Sequence, residues 1–261
     1  LSEAALIGQP NSADAWGRGL ERQMALVSQE THNIAEIASD NYVNTQTFFN
    51  QFLDGLTVDY QDADLNAQHF DIARLREMAN YGLTEVLPAD PNGDAENEST
   101  FQFYLGVAHL YSAMYYRALP AEPAGPVLSR DQHLNAAIAA FTASNNAQAN
   151  VGALIGIARC QYIKGDATAA IAAADAAIAA DTDGDFVSYI VFDGQNGPFN
   201  EIQDALYDRG SFDDLQPLPS LDFLDPKFSF VSANEDSKIP LFKIEEAHLI
   251  KAEAQQSNGA D

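Results

Sequence analysis

The sequence predicts an all-α protein built from helix hairpins, with a small irregular or β-containing portion. The clearest hairpin starts at Val151, where Leu154, Ile157 and Ala158 share one helical face before the turn Lys164-Gly165-Asp166. Ala170, Ile171, Ala174, Ala177 and Ile178 then recur at helical spacing up to Asp181-Thr182-Asp183-Gly184. A looser copy lies upstream, with Tyr104, Val107, Ala108 and Tyr111 on its first helix and Ala137 with Phe141 on its second. Pro120, Pro123, Gly125 and Pro126 make the connection between those two helices extended. The third observation is the run Ile239 to Ala254, read as a helix with Pro240 in its first turn, where a missing N–H costs nothing. Ile244, Ala247, Ile250 and Ala254 fall on one face and Leu249 with Ala252 on another, flanking a Glu246/Glu253 stripe, which predicts packing on two sides. Residues 240–261 thus read as half of a third hairpin; if the chain ends here, the apolar face of 244–254 needs cover from another chain or from the N-terminal helix.

The remaining elements follow in order. Ser12 to Ile37 carries Trp16, Leu20, Met24, Leu26 and Val27 in a helical pattern begun by Asn11-Ser12-Ala13-Asp14. Asp40 to Leu65 is mixed and polar-aromatic, and the next helix is expected from about Ala67 to Leu87. Pro, Asp, Asn and Gly predict a loop over Pro88 to Ser99. Beyond the hairpins, Phe186 to Phe192 alternates and is rich in β-branched residues, which predicts a short strand. Asp193 to Pro198 reads as a turn-rich loop and Gln216 to Ser237 as largely irregular.

The hairpin spacings resemble a tetratricopeptide repeat, in which small residues let two helices approach and a Gly-Asp turn joins them. Two more landmarks extend the likeness: aromatics from Tyr111 leading into Tyr116-Arg117-Ala118-Leu119-Pro120, and Lys243 and Glu246 through Leu249, Ile250, Ala252, Glu253 and Ala254. Their order, with the repeat between them, resembles the SusD/RagB-like family of nutrient-capturing outer-membrane lipoproteins from roughly Ser39 onward. Lys243 stands where that family usually has Arg, Gln161 where a repeat prefers Tyr, and the chain is short for the family. The resemblance implies one SusD-like domain over 1–261, an α superhelix with repeats at about 100–180 and 240–261, no cofactor and no catalysis. It also implies an oligosaccharide or other polymer fragment as ligand and a SusC-like TonB-dependent transporter as partner. The implied location is the outer-membrane cell surface, with a signal and lipid-anchor cysteine upstream of this chain.

Composition sets independent limits. Thirteen Lys and Arg against 38 Asp and Glu give a net charge of −25, which repels phosphate backbones and anionic membrane surfaces and so argues against nucleic-acid binding. An acid excess rich in Asp and poor in Lys also suits a high-salt habitat, where screening removes self-repulsion. No run reaches the roughly 18 apolar residues of a spanning helix. Leu1-Ser2-Glu3 does not read as a signal sequence, which fits either a cytosolic protein or removal of such a segment. The single Cys160 permits no internal disulfide and reads as a small buried hydrophobe.

Signatures of catalysis are sparse. His32, His69, His109, His133 and His248 are scattered without zinc spacing, so no metal site is expected. Asp181, Asp183 and Asp185 alternate like a calcium loop, but Phe186 and Phe192 occupy the positions that need Gly and Glu. No phosphate-binding loop, nucleophile elbow or dinucleotide fingerprint is present. A sugar site instead needs exposed rings for the flat faces and amides or acids for the hydroxyl rims. Two stretches offer both: Asp40, Asn41, Tyr42, Asn44 and Gln46 ahead of Phe48 and Phe49, and Gln195, Asn196 and Phe199 after the expected strand. The competing readings are that Phe48, Phe49 and Phe52 are core and the amides turn formers, and that the repeats are a protein-binding scaffold. A hydrolase using surface acids is a further alternative.

Overall fold

A computed structural model describes residues 7–39, 63–116, 118–120, 125–200 and 236–257. The protein is mostly helical, as the sequence predicts. In chain order the elements are α1 (Ser12–Ala38), α2 (Ala63–Tyr81), a π-helical turn (Gly82–Val86) and the short α3 (Leu87–Ala89). Then come α4 (Ala95–Tyr115), β1 (Ala118–Pro120), β2 (Val127–Ser129), α5 (Arg130–Ala147), α6 (Val151–Lys164) and α7 (Ala167–Ala180). The chain closes with β3 (Val187–Ile190), β4 (Ile239–Lys243) and α8 (Ile244–Ser257). Two compact units emerge, one of residues 1–20, 72–188 and 240–261, the other of 21–71 and 189–239.

The first unit holds the hairpins. α4 packs on α5, α5 on α6, α6 on α7, and α8 on α7 and α6. Four of these helices, α4 to α7, start where a short polar side chain takes orphan N–H groups. Asp94 and Asn97 form a capping box on α4, and Ser129 with Gln132 does the same for α5. Asn150 accepts from Ala153 N–H at 3.1 Å, and Asp166 from Ala169 N–H at 3.0 Å. Gly165, at φ 78, closes α6 in the left-handed region that favours glycine. The Asp94 cap also explains why the loop expected over 88–99 ends early, with the helix under way at Ala95.

At the centre of this unit the Phe141 ring sits in a slot that two glycines leave open. A Cβ at Gly106 or at Gly156 would lie 2.7 Å from ring atoms of Phe141. Phe103 and Phe242 pack against the same ring, with centroids 5.9 and 6.0 Å away. Arg159 stacks over Phe242 at 4.5 Å and makes a bidentate pair with Glu246, so the cluster ties α4, α5, α6, β4 and α8 together.

Residues 239–243 are the main departure from expectation. They form a strand that pairs with β3, and the helix begins at Ile244, whose N–H donates to the Phe186 carbonyl at 3.0 Å. Ile239, Leu241 and Phe242 are buried there, and Pro240 is tolerated because a two-stranded ladder leaves N–H groups unused. On α8, Ile244, Ala247, Ile250 and Ala254 are buried as predicted, whereas Leu249 is 65% exposed, so the second apolar face is open to solvent. Further upstream, Asp90 secures the start of α1. Its carboxylate accepts from Asn11, Ala13 and Asn92 N–H groups at 3.1, 2.8 and 2.9 Å. Burial alone would raise the Asp90 carboxyl, but those N–H groups outweigh it and hold it below the usual range.

Within the second unit α1 and α2 are joined by polar ties. Gln23 Nε2 donates to the Asp71 side chain at 3.0 Å, and Gln68 Nε2 to Thr31 Oγ1 at 3.2 Å.

Two outcomes test this packing. Gly106→Ala and Gly156→Ala should each destabilise the protein by about 2 kcal/mol in urea unfolding, because the added methyl overpacks a filled slot. Phe141→Leu in the same background should recover part of that loss. The second concerns the buried pair His109 and His133, whose Nδ1 atoms lie 3.0 Å apart. Burial, then His133 and Arg76, depress the His109 pKa from 6.5 to about 3. Its contribution to stability is therefore complete above pH 6.5 and declines as pH falls from there to about 3, with a limiting slope of about 1.4 kcal/mol per pH unit. Urea midpoints between pH 7 and 5 should fall more steeply for the native chain than for His109→Gln.

Candidate functional site

The groups that most often carry chemistry are occupied structurally. The His109–His133 pair lies in the core between α4 and α5, an approach invisible in sequence because the two are 24 positions apart. Cys160 is fully buried and its thiol is pushed up to about 12 by desolvation, so it behaves as a small hydrophobe. Asp181 spends its carboxylate on the Gly184 and Phe186 N–H groups at 3.2 and 3.0 Å, which makes it a turn former. Among the described residues no three His, Cys, Asp or Glu side chains gather to hold a metal ion, and no helix is long and apolar enough to cross a membrane.

The segment from β3 to Asn200, in the second unit from Tyr189 onward, has a different character. Strand alternation turns Ile190 and Phe192 inward and Tyr189 and Val191 outward, leaving the Tyr189 side 49% exposed. The chain then tightens around Asp193. Its Oδ1 accepts from the Gln195 and Asn196 N–H groups at 2.9 and 3.1 Å, and its Oδ2 from Asn196 Nδ2 at 3.0 Å. The Asn196 amide, then the two backbone N–H groups, hold the Asp193 carboxyl below the usual carboxylate range. The backbone closes the same turn, Gly197 N–H donating to Asp193 O at 2.8 Å and Asp193 N–H to Pro198 O at 3.0 Å.

Gly197 has φ 65, a conformation suited to glycine, and Arg22 of α1 donates to its carbonyl. A Cβ at Gly197 would come 3.5 Å from the Phe199 ring, so that ring lies along the loop backbone while 41% of the residue remains exposed. Asn200 is buried and donates to the Ser237 carbonyl at 2.8 Å, fixing the end of the loop. The product is a braced polar turn with an exposed aromatic residue on each side of it in sequence. Such a surface can bond hydroxyl groups and stack on flat apolar faces.

Gln195, Asn196 and Phe199 are thus placed in one loop, all three exposed, with the Asn196 amide N–H already committed to Asp193. Asp40, Asn41, Tyr42 and Asn44 lie outside the described residues. Sequence reasoning passed over Tyr189, Asp193 and Arg22. The first could have been found from the alternation that predicted β3, and the second from the turn chemistry of Asp193-Gly194. Arg22 reaches the loop across 175 positions and left no local signal.

No family model and no curated protein matches the chain in sequence. The fold is that of a solved SusD-like carbohydrate binding protein from Bacteroides vulgatus ATCC 8482, with a TM-score of 0.65 over 96% of this chain and 72% of that one, at 11% identity. The fold expected from the resemblance is therefore the fold observed.

Asp193→Ala should release the turn. Amide exchange at Gln195, Asn196 and Gly197 should accelerate by more than tenfold, whereas Asp193→Asn, which keeps one acceptor oxygen, should leave it slow.

Proposed function

We propose that the protein captures a glycan, or another polymer fragment with similar faces, without altering it chemically. The observation that supports this reading is the braced loop 193–200 with Tyr189 and Phe199 exposed, on a fold shared with a carbohydrate-binding protein. Each pyranose offers a patch of C–H groups to a ring and a rim of hydroxyls to Gln195, Asn196 and Asp193. A loop already held by its own hydrogen bonds loses little entropy on binding.

The same carboxylate does not suit the general acid of a hydrolase. Glycoside hydrolysis needs a general acid whose pKa is raised so that it carries a proton near neutral pH, whereas Asp193 is held ionised. In this reading Asp40, Asn41, Tyr42 and Asn44 supply further contacts to the same ligand. The protein is lipid-anchored at the outer-membrane surface through residues upstream of this chain, and it delivers its cargo to a SusC-like TonB-dependent transporter. These last assignments rest on the fold likeness and on the family landmarks in the sequence.

Titration calorimetry against a panel of oligosaccharides in high salt tests the reading. Saturable binding is expected, with Phe199→Ala, Tyr189→Ala and Tyr42→Ala each weakening it about fivefold, the worth of one stacked ring, while circular dichroism stays unchanged. Silence across the panel with an intact fold would favour the protein-binding scaffold.

A further inference from the structure

Charge is divided unequally between the two units. The unit that carries the candidate loop, residues 21–71 and 189–239, contains nineteen Asp and Glu against four Lys and Arg. The hairpin unit has the same number of acids but nine Lys and Arg, in a longer stretch of chain. More than half of the net negative charge therefore belongs to the smaller unit, before any ligand arrives. Inside the loop the one carboxylate, Asp193, is exposed and held ionised by its three hydrogen bonds. Among the described residues Arg22 donates to the Gly197 carbonyl, so this N–H group is turned to the loop backbone, and its charge also acts on Asp193. No described contact offers the paired cationic fork that a uronate or sulfate group requires.

We propose that this site selects uncharged glycan segments and rejects those bearing uronate or sulfate groups, with Asp193 as a specificity-determining residue. The inference rests on the capture reading above. An acidic polymer would meet like charge twice, once in the field of the unit and once at Asp193, and the first of these contributions fades as salt shortens the screening length.

Matched pairs differing only in charge test it: dextran against dextran sulfate, and methyl-esterified against free oligogalacturonides, each by calorimetry near 0.1 M and near 2 M salt. The neutral member of a pair should bind at least about tenfold more tightly at low salt, and the gap should narrow at high salt. Asp193→Asn keeps an acceptor for the two N–H groups and, if Asn196 turns its amide over, a partner for that side chain. It should recover about threefold in affinity for the acidic member, the repulsion of one unit charge through water at about 6 Å. Equal binding of both members, or tighter binding of the acidic one, would overturn the selectivity and leave capture standing. No binding of any glycan by the native chain or by Asp193→Asn would overturn both.

Discussion

The hairpin unit depends on one steric constraint, the slot in which the Phe141 ring lies against two helices that have no side chain to offer there. Gly106 on α4 and Gly156 on α6 sit where any Cβ would collide with that ring, and the vacated volume lets a phenylalanine from α5 pass between them. Close approach of helices through small residues is also what hairpin stacking requires. Phe103 and Phe242 complete the cluster edge-on or tilted, and Arg159 covers Phe242 while its charge is met by Glu246. The carboxylate that appears in sequence as part of a narrow Glu246/Glu253 stripe is thus the counter-ion of a largely buried arginine. An isolated surface pair would contribute little, but here the guanidinium also stacks on a ring, which makes its position specific.

Polar side chains settle where the elements begin and end. Asp94, Ser129, Asn150 and Asp166 each take backbone N–H groups at a helix start. Asp90 does so from a distance for α1, and Asp193 does so inside a loop. A chain with 38 acidic residues therefore uses some of them as fasteners, and at Asp90 and Asp193 that use holds the carboxyl below the usual range. Asp193 is a fastener and an exposed charge at once.

The hairpins were legible because their signals are local: helical spacing of Ala and Ile and a Gly-Asp turn. The run Ile239-Pro240-Leu241-Phe242 was misread because a short apolar run suits a buried strand as well as a helix, and Pro240 fits either beginning. Pairing with β3 and burial of Phe242 against Phe141 decide the matter, and both are tertiary. Leu249 was assigned a packing role because apolar periodicity alone does not distinguish a covered face from an open one. In the loop, turn-forming residues with amides and a phenylalanine pointed to Gln195, Asn196 and Phe199. The Arg22 contact and the meeting of His109 with His133 depend on the folded arrangement and had no counterpart in the pattern.

A capture protein needs a surface arranged before its ligand comes, and the loop at 193–200 meets that condition by bonding to itself. A crystal structure of the protein grown with a neutral oligosaccharide would test this most directly. The expected result is a sugar ring on the face of Phe199 or Tyr189, hydroxyls within hydrogen-bond distance of Gln195, Asn196 or Asp193, and the loop backbone unchanged. A sugar bound elsewhere, with the loop empty, would contradict it.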